Sequence, residues 1–169
     1  MDMPMTTDRR RFLSVASLGV IGAALLGSCG EDAARAAEHF PVQMSDAEWR
    51  KKLGPDAFAI LRRNGTEPPY SSPLNNEHRA GTFACKGCDN PLYSSKTKFD
   101  SHTGWPSFWA PLPHAIGTRG DHSLLMERIE VHCARCGGHL GHVFNDGPPP
   151  TGKRYCMDGL AMVFHPGQA

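Results

Sequence analysis

Two Cys-x-x-Cys pairs, Cys85-Lys86-Gly87-Cys88 and Cys133-Ala134-Arg135-Cys136, constrain this chain more than any other feature, because they bring together segments separated by 44 residues. Glycine lies inside the first pair and directly after the second, which lets backbone amides turn towards the sulfurs. Two such pairs can close a tetrahedral thiolate shell, and a shell with no open position is a structural site. The interval is wider than in a compact zinc ribbon, so the metal is expected to pin two distant strands. Zinc is the ion expected for an isolated, redox-silent role. The rival assignment is two disulfides, which an exported chain permits. A disulfide within a Cys-x-x-Cys pair makes a poor structural bridge, however, and a redox pair is the better alternative.

Export is suggested by the N-terminus. Asp8-Arg9-Arg10-Arg11-Phe12-Leu13 places paired arginines before an apolar run that ends near Gly27 and carries Gly19 and Gly22. The run is short for a membrane span, and the pattern resembles a twin-arginine export signal; a Sec signal with extra arginines is the alternative. Leu26-Gly27-Ser28-Cys29 resembles a lipobox that would leave Cys29 acylated. Cleavage after Ala34-Arg35-Ala36 competes with it and would simply discard Cys29. The expected organisation is an export signal over 1–29, a tether over 30–43 and a folded domain over 44–169. The expected location is extracytoplasmic or periplasmic, touching a membrane only through a lipid at Cys29. Without the first 29 residues, which hold three of the 18 basic and two of the 17 acidic residues, the chain is formally neutral. That balance argues against nucleic acid as a partner.

Within the domain, Ser45-Asp46-Ala47-Glu48 has the form of a capping box. It predicts a short helix ending at Gly54, then a second helix from Pro55 to Asn64-Gly65, with Trp49, Phe58 and Leu61 packing inward. From Thr82 onward short β-like runs alternate with Gly, Pro, Asn and Asp: 82–85, 92–94, 107–109, 123–126, 129–133, 140–144 and 160–164. Apart from the two cysteine pairs there is no internal repeat. The predicted class is mainly β: antiparallel sheets with short N-terminal helices and a structural zinc.

With Cys29 in the export segment and four cysteines on the metal, Cys156 stands alone. A lone cysteine is more commonly a small buried apolar residue. Arg154, on the same side if this segment is a strand, would favour a thiolate and argues for a nucleophile. His139 and His142 are unneeded as ligands once four thiolates are present, and an imidazole suits proton transfer to an oxygenated substrate. Ser101-His102-Thr103-Gly104-Trp105-Pro106-Ser107-Phe108-Trp109 is either an aromatic core turn or the apolar wall of a small pocket, with Trp105 and Phe108 contacting substrate.

Taken together, Gly65-Thr66-Glu67, the two cysteine pairs, Thr103 to Phe108, His139-Leu140-Gly141-His142-Val143-Phe144 and Arg154-Tyr155-Cys156 resemble the B-type peptide-methionine (R)-S-oxide reductases, in order from about Met44 to Phe164. The resemblance implies two antiparallel sheets around a core, tent-like, with the zinc far from the site. It implies Cys156 as nucleophile, His139 and His142 as active-site imidazoles, Trp105 against the substrate methyl and Arg154 supporting the thiolate. The implied reaction leaves a sulfenic acid on Cys156, reduced by a thiol donor such as a thioredoxin-like protein. The substrate is oxidised methionine, in proteins or free, and the expected state is a monomer. Two positions depart from the pattern. Thr103 stands where many relatives carry a resolving cysteine, and Asp158 stands where many carry Asn. An ionised Asp158 would oppose the thiolate unless it is protonated, turned away or paired with Arg154. A zinc-stabilised binding module without turnover and a zinc-thiolate redox sensor remain the competing functions.

Overall fold

The computed structural model describes residues 38–123 and 127–167. The expected export signal, Cys29 and tether residues 30–37 lie outside them. Residues 38–43, expected to be tether, are docked on the domain. Val42 N donates to Arg135 O at 2.9 Å, and the Phe40 ring meets His132 edge-on at 5.6 Å. Apolar Phe40 and Val42 in this short polar stretch have a surface to bury against, which holds the segment down.

Helix α1 (Asp46–Arg63) begins as its sequence predicts: Ser45 N donates to Glu48 Oε2 at 2.8 Å and Glu48 N donates back to Ser45 Oγ at 3.3 Å. It is two helical segments joined at Gly54, whose φ of 74° and ψ of 173° are not helical. Pro55 opens the second segment, where its missing N–H costs nothing. Asn64 closes it in the left-handed region. Trp49, Leu53, Phe58, Ile60 and Leu61 are buried on one stripe.

Nine strands follow among the described residues: β1 (Gly81–Cys85), β2 (Pro91–Ser94), β3 (Lys98–Phe99), β4 (Ser107–Phe108), β5 (Ile116–Asp121), β6 (Arg128–Cys133), β7 (His139–Phe144), β8 (Arg154–Met157) and β9 (Met162–Pro166). They form a three-stranded sheet, β2-β1-β9, and a six-stranded sheet, β3-β4-β8-β7-β6-β5. All pairings are antiparallel. The fold is the expected mainly β, two-sheet arrangement around a core. That core includes Phe83, Tyr93, Phe108, Val131, Leu140 and Met157 together with the buried stripe of α1.

Three strand expectations shift. The run expected over 123–126 is replaced by β5, which ends before it; Ser123 lies in a turn where its N–H donates to Asp121 Oδ1 at 2.9 Å, and 124–126 fall outside the described residues. Gly117 and Gly120 make β5 look like a loop in sequence, yet all six of its residues pair with β6, and tertiary pairing overrides strand propensity. Gly117 also lies directly under the His132 ring, where a side chain could not fit. The run expected over 160–164 begins at Met162 instead, after a single 3₁₀ turn over Gly159–Ala161. Strands β3 and β8 are found without a matching run of apolar residues.

Candidate active site

The metal centre sits where two turns meet. Cys85 and Cys88 flank the turn after β1, and Cys133 and Cys136 flank the turn between β6 and β7. Their four sulfurs lie within 4.8 Å of one another, with Cys85–Cys136 at 3.7 Å and Cys88–Cys133 at 3.5 Å. A tetrahedral zinc with Zn–S near 2.3 Å places its sulfurs about 3.8 Å apart, so the spacing fits the ion. These separations are far longer than an S–S bond of about 2.05 Å, and no disulfide joins the described cysteines. The four cysteines form a structural zinc site with no open position.

The second cluster is built on strand register. Across the six-stranded sheet, Ser107 pairs with Cys156, Cys156 with His142, His142 with Glu130, and Glu130 with Arg119. One cross-strand row therefore carries a thiol, an imidazole, a carboxylate and a guanidinium on one face. Because β8 alternates, Arg154 shares that face with Cys156, whereas Tyr155 and Met157 turn to the core.

In a regular strand, residues three apart face opposite ways, so His139 and His142 should not meet. A register shift in the β6–β7 pairing and Gly141, at φ 144°, undo that parity. The two rings stand 5.3 Å apart, edge to face. A side chain at Gly141 would run into the Cys156 carbonyl. His142 Nε2 is 2.7 Å from Asp121 Oδ2, which also accepts from Arg128. Burial holds the His142 imidazole below its ordinary pKa, with Asp121 opposing. His139 is 1% exposed, with Nδ1 2.9 Å from Glu130 Oε1. Its Nε2 has no hydrogen-bond partner among the described residues, and Asp158 Oδ2 lies 3.9 Å away.

Cys156 is half-buried, and its sulfur is 3.7 Å from the Thr103 hydroxyl. Ser101 Oγ joins Thr103 Oγ1 at 2.8 Å to Ser107 Oγ at 2.7 Å, so a chain of hydroxyls runs along one side of the thiol. Burial raises the Cys156 pKa above its ordinary value; Thr103, Arg154 and Ser107 pull it down by less, and Asp158 adds a small upward push. Arg154 thus acts in the expected direction without winning. It is clamped in a two-point fork on Asp146, at 2.9 and 2.8 Å, and lies 4.4 Å over the Phe144 ring.

Asp158 is 3% exposed and is not paired with Arg154. Its Oδ1 accepts from Glu67 N at 2.9 Å, and burial first of all raises its pKa to about 6. Glu67 knits this corner together. Its carboxylate takes the N–H groups of Gly159 and Leu160 at 2.6 and 3.0 Å, and its carbonyl accepts from Trp105 Nε1 at 3.1 Å. Trp105 is thereby fixed, half-buried, next to Gly104, whose φ of 96° brings it tight against Pro69 and Tyr70.

Phe108 corrects one expectation. It is fully buried, stacked 4.3 Å from Tyr93 and set edge-on to Phe83 at 4.9 Å, so it belongs to the core rather than to a pocket wall. Strand alternation explains this: Ser107 faces the thiol, so Phe108 must face away. Glu67, Arg119, Asp121, Glu130 and Asp146 carry no role in the reading of the sequence. The available signal was Glu130, a carboxylate on the same strand face as His132 in an otherwise β-forming run.

Comparison with known proteins agrees with this geometry. The SelR domain family matches residues 53–166. Proteins named peptide methionine sulfoxide reductase MsrB are similar over most of their length. The Agrobacterium fabrum protein is 52% identical over 126 residues, covering 74% of this chain and 93% of its own. That of Thioalkalivibrio sulfidiphilus is 51% identical over 125 residues, covering 73% and 91%. That of Pseudomonas putida is 53% identical over 121 residues, covering 70% and 90%. With its zinc turns, histidine pair and lone thiol all inside the matched span, the chain belongs to the SelR domain family.

Proposed function

We infer that the chain is a B-type peptide methionine sulfoxide reductase working through the Cys156 thiol. The observation that carries this reading is the cross-strand row that sets Cys156 between His142 and Ser107, with Arg154 on the same strand face and the His139 ring beside His142. His139 takes the Cys156 thiol proton on Nε2 as the sulfur attacks the sulfoxide sulfur of methionine-R-sulfoxide, and delivers that proton to the sulfoxide oxygen. Oxygen passes to Cys156, methionine leaves reduced by two electrons, and Cys156 is left as a sulfenic acid, oxidised by two. Because the resting thiol is held protonated by burial, its proton must leave as substrate arrives. His142 and Asp158 complete the proton-handling set, and Trp105 packs against the substrate methyl.

Thr103 occupies the place of a resolving cysteine, and the four remaining cysteines of the domain are held by zinc. The sulfenic acid is therefore reduced by two external thiol equivalents, which leave as a disulfide with water as the other product. A thioredoxin-like protein suits that role. Export through the arginine pair Arg9-Arg10, with a lipid on Cys29, is the proposed route and anchor, supported by the sequence pattern. Turnover of separate R and S methionine sulfoxide epimers with a dithiol tests the reaction. Only the R epimer should be consumed, and Cys156→Ser should abolish its loss while zinc content stays unchanged. Binding of either epimer without turnover would leave a recognition module in place of an enzyme.

A further inference from the structure

We propose that Glu130 and Arg119 are positioning residues that hold the His139 ring proton on Nδ1, leaving Nε2 as the lone pair that works in the reaction. The inference rests on the reading of His139 as the group that handles the sulfoxide proton.

Glu130 is 4% exposed on β6, in a place an apolar side chain would fill at lower cost. Each of its oxygens has a separate charged or polar neighbour: Oε1 faces His139 Nδ1 at 2.9 Å and Oε2 faces Arg119 Nε at 2.9 Å. Arg119 carries only donors and stays charged, so it commits Glu130 to accept. A carboxylate in an ion pair with Arg119 offers only acceptors, so its 2.9 Å contact with His139 requires hydrogen on Nδ1. In the neutral ring the other nitrogen, Nε2, is then bare. That nitrogen is the one left without a hydrogen-bond partner among the described residues, on the side of Asp158. Arg119 is itself held from outside by Glu38 at 3.2 Å, so the docked N-terminal segment closes the far end of the row.

The same logic says what a near-isosteric change does. In Glu130→Gln, Arg119 claims the amide oxygen, since it has nothing to accept with. The amide NH₂ then points at His139 Nδ1 and drives the ring proton to Nε2. Two-dimensional ¹⁵N–¹H spectra of the histidine side chains, on zinc-loaded protein, should show Nδ1–H for His139 in the wild type and Nε2–H in Glu130→Gln. Turnover should fall about 100-fold in kcat with KM within about twofold, as befits a lost proton-transfer geometry. Replacing the donor as well, in Arg119→Met with Glu130→Gln, frees the amide oxygen to accept from Nδ1 and should recover about tenfold of that loss. A wild-type His139 carrying its proton on Nε2 overturns the proposal without any variant. Unchanged turnover in a folded Glu130→Gln, or no recovery in the double variant, overturns it too. Failure of the underlying reading has a separate signature, full activity in His139→Asn.

Discussion

At the scale of single residues, the site is governed by burial acting against charge. Asp158 shows this most directly. Its carboxyl titrates near 6 in the fold, above its ordinary value, because burial disfavours the anion. The native state then binds more protons than the unfolded chain between about pH 4 and 6, so stability falls as pH rises through that window. At neutral pH the whole cost, about 3 kcal/mol, is present. Asp158→Asn keeps the shape and the Oδ1 acceptor for Glu67 N. It should be more stable than the wild type by up to about 3 kcal/mol at about pH 7.5 and by little at about pH 4, measured by denaturant unfolding. The same stability difference at both pH values would mean that Asp158 is not titrating in the fold. Its effect on Cys156 alkylation should be small, since burial and not Asp158 is the main cause of the raised thiol pKa. Thr103 offers a second residue-scale test. Its hydroxyl is 3.7 Å from the thiol, so Thr103→Cys places a sulfur within bonding reach after a small side-chain rotation. One equivalent of substrate without reductant should leave a trappable sulfenic acid on the wild type. In the variant it should leave a disulfide between the introduced thiol and Cys156, and mass spectrometry distinguishes the two.

At the scale of elements, the sequence displays some of these features and hides others for reasons that can be named. The capping box, the glycine break at Gly54 and the paired cysteine turns are local signals, and each forms where its residues stand. Phe108 reads as pocket lining because it is an aromatic close to Trp105, until strand alternation turns it inward. Strand β5 is hidden because Gly117 serves packing against His132 of the neighbouring strand, which single-chain propensity does not register. The histidine pair is the most instructive case. A spacing of three is wrong for a strand face, and only the register shift with Gly141 makes His139 and His142 neighbours. Gly141→Ala should therefore do more than add a methyl. At φ 144° beside the Cys156 carbonyl the new Cβ forces β7 away from β8. Overpacking of this kind costs roughly 1–3 kcal/mol, to which backbone strain at a non-glycine adds. Turnover should drop further than that destabilisation accounts for, because the row from Cys156 to Arg119 loses its register. A variant with wild-type kcat and a lowered unfolding midpoint would confine Gly141 to a packing role.

At the scale of the whole molecule, the two sheets are connected by more than shared core. Strand β1 of the small sheet ends in Cys85, and strand β6 of the large sheet ends in Cys133. The zinc joins those ends through the turns that follow them. The Gly87 Cα lies so close that a side chain there would touch Trp49 of α1 and the sulfurs of Cys85 and Cys136, so helix, small sheet and large sheet converge on the ion. Asn90 adds a bond across the same junction, donating to Ala115 O at 2.9 Å. None of the four thiolates belongs to the cross-strand row, and the metal has no open position with which to take part in the reaction. Its removal should then act through stability first. Cys136→Ser should abolish stoichiometric zinc, read by a colorimetric chelator under denaturing conditions. Structural zinc is worth on the order of 10 kcal/mol in small domains that fold around it. Even half of that, in a domain of this size, lowers the unfolding midpoint by on the order of 15 °C or more. Well below that lowered midpoint, residual turnover per folded molecule should stay within a few fold of the wild type, because none of the residues that pair β7 with β8 is a zinc ligand. Full thermal stability in a zinc-free variant would show that the core alone holds the two sheets together. Loss of turnover in a variant that remains folded would show that the metal turns set the register of β7 at a distance.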